Sequence, residues 1–205
     1  YAPTHDRSGA IAFYISAYDL RTGEPKWRRL ICSSQQEVNM FGNARMEFAA
    51  SPLCASRGML YGSSNLGVCF GIEIETGRAR WITAYEVIRM PPTALHSQDN
   101  RPVYFQNSAP VVTDGVLCTT PLDSANVLGI DCESGELLWS LPHEADIDVD
   151  LASGLTGEDN DVRWLFGAID DEFLLAGSGV VAVKARPNGA RGRAEARQVL
   201  GRESL

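Results

Sequence analysis

Apolar residues in this chain come in short runs broken by turn residues, and no segment keeps a sustained 3.6-residue period. Residues 110–113, 116–120, 127–131 and 137–141 read as four strands. Asp114-Gly115 is a strong two-residue hairpin signal between the first two, and Ser134-Gly135 closes the turn before the fourth. A second set of strands is expected over residues 52–55, 59–63, 69–73 and 79–83.

These sets are copies of one unit. Ala17-Tyr18-Asp19-Leu20-Arg21-Thr22-Gly23 is followed by Trp27, Gly71-Ile72-Glu73-Ile74-Glu75-Thr76-Gly77 by Trp81, and Gly129-Ile130-Asp131-Cys132-Glu133-Ser134-Gly135 by Trp139. The three turn glycines lie 54 and 58 residues apart, and each tryptophan falls four residues after its glycine. The span 52–81 aligns with 110–139 without a gap, apart from a local one-residue slip at Arg57-Gly58 against Asp114-Gly115. A weaker fourth copy runs from Val181-Ala182-Val183-Lys184 to Asn188-Gly189 and has lost its tryptophan. A repeat of this length holding four short strands predicts an all-β, partial propeller of four-stranded antiparallel blades, about three plus an incomplete fourth. The blade-like units are expected at about 1–30, 50–84, 108–142 and 162–190, with inter-blade loops over 85–107 and 143–161.

The residue types in the motif have physical reasons. Glycine after Thr or Ser reaches the positive φ of a tight turn at little steric cost. The preceding acid (Asp19, Glu73 or Asp131) is placed to accept turn N–H groups. A tryptophan four residues on is large and flat and has one N–H donor, which suits it to stack across a seam and bond a neighbouring carbonyl. One blade cannot bury its own faces, so this packing between units should carry much of the stability.

Ala-x-Asp-x-x-Thr-Gly-x-x-x-Trp, whole at Ala17, Asp19, Thr22, Gly23 and Trp27, resembles the tryptophan-docking motif of PQQ-like propeller repeats. The other copies depart from it at Gly71, Glu73, Gly129 and Ser134. The resemblance covers most of residues 16–184 and implies a structural docking set of Asp19, Thr22, Gly23, Trp27, Glu73, Thr76, Gly77, Trp81, Asp131, Ser134, Gly135 and Trp139. Propellers of that family usually have seven or eight blades, so the chain is expected to be a piece of a longer protein that needs its missing blades. The family includes quinoprotein dehydrogenases, which hold pyrroloquinoline quinone and Ca²⁺ at the propeller centre, and outer-membrane assembly lipoproteins, which bind no cofactor and dock partner proteins through loops and blade edges. The dehydrogenases typically present an adjacent cysteine pair to the quinone, and this chain has none.

Composition narrows the function classes. A net charge of −8 argues against binding a phosphate backbone. The one basic cluster, from Arg186 to Arg197, is interleaved with Gly and Ala and reads as a solvated loop or frayed end. No run is long and apolar enough for a membrane helix. The chain starts at Tyr1 with no charged-then-apolar leader, so a secretion signal is expected to be absent or removed.

The candidate chemistry is sparse. In the gap-free alignment Cys54, Cys69, Cys118 and Cys132 exchange with Val112, Val127, Leu60 and Ile74, which makes small buried hydrophobes the favoured reading over a Cys54–Cys69 or Cys118–Cys132 disulfide. Without a C-x-x-C pair a zinc site is disfavoured. Asp146, Asp148 and Asp150 have the spacing of calcium-loop acids, but Leu151 and Gly157 stand where such a loop needs Gly and Glu, and an exposed strand or acidic loop fits better. Glu158-Asp159-Asn160-Asp161 reads as a solvated turn. His5, His96 and His143 are isolated, and His143 beside Glu144 has no legible nucleophile to serve. In the 85–107 insertion, Tyr85, Tyr104 and Phe105 are either recognition anchors or, as the favoured reading, part of a packed loop.

The sequence therefore reads as a non-catalytic scaffold or protein- or ligand-binding surface, with no catalytic, cofactor or metal residues of its own, probed by another protein through its inter-blade loops and belonging to a periplasmic or otherwise exported protein. The alternative is a fragment of a pyrroloquinoline-quinone-dependent dehydrogenase whose cofactor residues lie elsewhere.

Overall fold

The computed structural model describes residues 1–7, 10–35, 50–88, 103–143, 164–177, 179–187, 192–194 and 196–200, and its regular elements there are all strands. The first sheet holds β1 (Ala2–Arg7), β2 (Ile11–Tyr18) and β3 (Pro25–Ser34). The second is a four-stranded meander of β4 (Cys54–Ser56), β5 (Met59–Ser63), β6 (Val68–Glu73) and β7 (Ala79–Ala84). The third repeats it with β8 (Val111–Thr113), β9 (Val116–Thr119), β10 (Asn126–Asp131) and β11 (Leu137–Pro142). The fourth contains β12 (Trp164–Ile169), β13 (Glu172–Ala176) and β14 (Val180–Lys184). Between these and its last strand lies β15 (Gly192–Arg193), which adds in parallel to β11 of the third sheet. The fourth sheet then closes with β16 (Ala196–Leu200), a strand that no tryptophan announces in the sequence.

Turn chemistry sets these hairpins. Arg57 and Gly58 have φ of 48° and 76°, and Asp114 and Gly115 have 46° and 70°. Two successive positive values match the twist of the flanking strands. In the second and third sheets the N–H after the motif acid folds back onto this turn, Ile74 to the Gly58 carbonyl at 3.0 Å and Cys132 to Gly115 at 2.9 Å. Ala185 to Asp171, at 2.8 Å, is the same bond in the fourth sheet.

The core lies between the sheets. One cluster joins Phe13, Ile15 and Ile31 of the first sheet to Leu60, Phe70 and Ile72 of the second. Another joins Tyr61, Cys69 and Trp81 to Leu117, Leu128 and Ile130 of the third. The third joins Val116, Cys118, Val127, Trp139 and Leu141 to Leu165, Phe173, Leu175, Val181 and Val183 of the fourth. Strands β6 and β10 are accordingly buried at four consecutive positions each, because both faces meet a neighbouring sheet.

One register differs from the gap-free alignment. Cys54 pairs with Tyr61, and Val111 with Cys118. The structural equivalents are therefore Cys54 with Val111 and Tyr61 with Cys118, not Val112 and Leu60. The slip at the hairpin runs through both of its strands, and a one-residue shift moves every side chain to the opposite face. Cys69 and Val127 remain equivalent, facing Thr83 and Leu141.

Candidate functional site

The repeated feature with the most developed geometry is the seam between successive sheets. At the second-to-third seam, the Trp81 indole N–H donates to the Cys132 carbonyl at 2.9 Å. The ring lies between two glycines: a Cβ on Gly71, its cross-strand partner, would come 2.6 Å from it, and one on Gly135 of the next sheet 2.7 Å. Two residues on, Thr83 Oγ1 donates to the Gly135 carbonyl at 2.5 Å.

The first-to-second seam has the same plan. Trp27 donates to the Ile74 carbonyl at 3.2 Å, Arg29 Nε donates to the Gly77 carbonyl at 3.0 Å, and a Cβ on Gly77 would meet the Trp27 ring at 2.6 Å. At the third-to-fourth seam Trp139, wholly buried, donates to the Ala185 carbonyl at 2.8 Å.

The motif turns, two of which receive indoles at Ile74 and Cys132, are built by the motif acids. In each motif turn the glycine N–H donates to the acid's own carbonyl at 2.9 Å, at Asp19, Glu73 and Asp131 alike. Asp19 Oδ1 also accepts the Arg21 and Thr22 N–H groups, and Asp131 Oδ1 those of Glu133 and Ser134. Glu73 is one methylene longer and accepts the Thr76 hydroxyl at 2.9 Å instead. The Arg21 and Thr22 N–H groups and Lys26 hold the half-buried Asp19 carboxyl below its usual range. Burial pushes Asp131 up, but Arg186 and the Ser134 and Glu133 donors outweigh it and leave the carboxyl at about 2.

Arg186 and Arg197 depart from the reading of the basic cluster as a solvated loop or frayed end. Arg186 reaches from the fourth sheet to Asp131 Oδ2 at 2.8 Å and to the Asp114 carbonyl at 3.2 Å. Arg197 forms a two-pronged pair with Glu172. Arg197 also faces Ala182 across the ladder, as Trp139 faces Gly129, so it occupies the position that holds tryptophan in the other units. The absence of a tryptophan from the fourth copy was the sequence signal. The arginine that replaces it was legible only once β16 was paired.

The opposite end of the sheets carries a buried polar rim. Antiparallel order puts the motif turns at one end and the loops 64–67 and 120–125 at the other. There Asp123, 1% exposed, accepts the Gly67 N–H at 2.9 Å and the Tyr85 hydroxyl at 2.6 Å, while Asn65 accepts the Leu122 N–H at 3.0 Å. These bonds tie one sheet's loop to the next. Burial and the adjacent Asp123 raise Tyr85 well above its ordinary range, which keeps it a donor. Phe105 is fully buried in the core and touches His143 edge-on, and Tyr104 packs on the same imidazole at 4.7 Å. Tyr85 and Phe105 are thus engaged side chains and not exposed anchors.

All five cysteines are free thiols. Cys54 on β4 and Cys69 on β6 have β5 between them, a separation of about 9–10 Å that no disulfide spans. Burial raises all five, to about 11 for Cys132, so none is a ready nucleophile. The described residues contain no group of three or more His, Cys, Asp or Glu placed to hold a metal ion. His5, His96, Glu144, Asp146, Asp148, Asp150 and residues 158–161 lie outside the described side chains. Among the described residues no helix is long and apolar enough to cross a membrane.

No protein-family model and no curated protein matches the sequence. Among solved structures, a europium-containing methanol dehydrogenase superposes with a TM-score of 0.50 at 13% identity, over 98% of this chain and 40% of that one. The fold is of the β-propeller type. BamB from Moraxella catarrhalis superposes with a TM-score of 0.48 at 13% identity, over 94% of this chain and 46% of its own. The quinohemoprotein alcohol dehydrogenase ADHIIG from Pseudomonas putida gives 0.46 at 14%, over 91% and 32%. The chain thus spans less than half the length of each of these propeller-type structures.

Proposed function

We propose that this chain is an arc of a PQQ-like β-propeller that serves as a non-catalytic scaffold, presenting a rim of inter-blade loops to a protein partner outside the cytoplasm. Its units are 1–30, 50–84, 108–142 and 162–190, and Asp19, Thr22, Gly23, Trp27, Glu73, Thr76, Gly77, Trp81, Asp131, Ser134, Gly135 and Trp139 form its docking set. The observation that carries the reading is the indole bond from each sheet to the next, made at Ile74, Cys132 and Ala185 in turn. Support also comes from the rim, where Asp123, Tyr85 and Asn65 are engaged in tying loops together and the thiols are held protonated. The exported location is supported by the repeat resemblance alone.

The test is to incubate the protein with pyrroloquinoline quinone and Ca²⁺, and to measure quinone retention by equilibrium dialysis alongside dye-linked alcohol and sugar oxidation. The expected result is neither retention nor turnover. Stoichiometric quinone binding would overturn the scaffold reading in favour of the dehydrogenase.

A further inference from the structure

In the first three sheets a short motif turn leads into the outer strand, over residues 19–24, 74–78 and 132–136. In the fourth sheet that connection runs over 185–195, and part of it leaves the sheet. There β15 lies parallel to β11, with Gly192 beside Trp139 and Arg193 beside Ser140. The excursion is fastened on both sides. Ahead of it Arg186 bonds Asp131 Oδ2 and the Asp114 carbonyl of the third sheet. Behind it Ala194 and Ala196 pack on the core shared by the third and fourth sheets.

An outer strand offers a row of backbone donors and acceptors to any other strand, and proteins blunt such edges with charge, proline or a covering segment. Exposed charges stand on three of the outer strands: Lys26, Arg28 and Arg29 on β3, Arg80 on β7 and Arg197 on β16. β11 has no charged residue, and its one proline is at the last position, Pro142. Among the described residues it is also the outer strand that a further strand covers. We infer that β15 is a strap occupying a strand-addition site on β11, and that lifting it lets β11 pair with β11 of a second copy of this chain. Two identical edges pair antiparallel about a two-fold axis, each copy offering the same groups. Ser140 lies in the middle of that edge. Its counterpart on β3 is Arg28, because Leu128 faces Ser140 as Ser16 faces Arg28, each next to the partner of the tryptophan. Like charges brought together across such a pair oppose it. The strap therefore stands in for the charge that β3 carries at this place. It acts on the edge of one sheet and not on the loop rim, so quinone binding would leave it standing.

The test starts with amide exchange in the unaltered chain, comparing the N–H groups of β11 and β7 that face away from their own sheets. Those of β11 beside β15 should exchange about tenfold or more slowly, and equal rates overturn the inference. Gly192→Pro and Arg193→Pro are then introduced together, which removes both N–H donors of β15 and leaves Trp139, Arg186 and Arg197 in place. In dilute protein the double variant should lose the extra protection at β11. As concentration rises, sedimentation velocity should show its mass moving from that of the unaltered chain to twice that value. Adding Ser140→Arg should restore the mass of the unaltered chain and leave the β11 amides fast. Protection that survives both prolines overturns the inference, as does a double variant that keeps the mass of the unaltered chain. Doubling that persists undiminished with Ser140→Arg overturns it too, since the contact would then lie elsewhere.

Discussion

Gly135 and Gly23 share a backbone conformation, with φ of 76° and 75°, but differ in what stands over them. A methyl group at Gly135 would sit 2.7 Å from the Trp81 ring, and one at Gly23 would face open space. Gly23→Ala should cost about 1 kcal/mol, the backbone penalty alone, whereas Gly135→Ala should add the displacement of an indole and cost about 2–4 kcal/mol. Urea unfolding of the two variants separates the terms, and equal losses would mean that the ring does not press on the turn. The positive φ and the tryptophan were readable from Thr-Gly-x-x-x-Trp. That the Trp81 ring is held between Gly71 of its own sheet and Gly135 of the next was not, because the first contact is cross-strand and the second joins residues more than 50 positions apart.

At the scale of the turn and its strands, the motif acids differ in reach. Asp131 is joined across a seam by Arg186, and its folded pKa of about 2 lies below the ordinary 3.8. A carboxyl lowered on folding adds stability that is complete above the unfolded value and lost as pH falls through the folded one. The window is therefore about pH 4 down to 2, and the contribution is at most about 2 kcal/mol because Arg186 is half exposed and screened. Arg186→Gln should lower stability at pH 6 and bring little further loss at pH 2, measured by urea titration at both. The hairpins themselves were legible: three strands of the second and third sheets sit within a residue of their expected bounds, since Asp-Gly and Ser-Gly turns announce them. The 110–113 strand is likewise within a residue of β8, but 52–55 is offset from β4, because Arg57-Gly58 advertises its turn more weakly than Asp114-Gly115 and the register follows the turn. Strand β16 was hidden for a related reason. Its position is set by Glu172 and Ala182, and neither residue is marked in the local pattern.

Across the molecule, stability is distributed over three seams that differ in quality. Trp139 is fully buried and its partners Phe173, Leu175, Val181 and Val183 are core residues, whereas Trp27 is partly exposed. Trp139→Ala should cost about 3–5 kcal/mol and loosen the fourth sheet from the third, while Trp27→Ala should cost less. Limited proteolysis would show the first variant cut preferentially between residues 143 and 164, and indifference of that region would argue against the seam as the joining element. The buried rim of Asp123, Tyr85 and Asn65 was the least legible part of the molecule. Its members lie in loops whose polar composition reads as solvated until the neighbouring loop is brought against them.

The Trp-to-glycine pairing also bears on where this protein can be cut and rejoined. Each indole belongs to one sheet by covalent bonds and to the next by contact, so the piece that keeps its partners runs from one outer strand through the following motif turn. A chimaera spliced at sheet borders would part every ring from its seat. One spliced between Gly77 and Arg78, or between Gly135 and Glu136, would carry matched halves together and should be the better place to exchange modules.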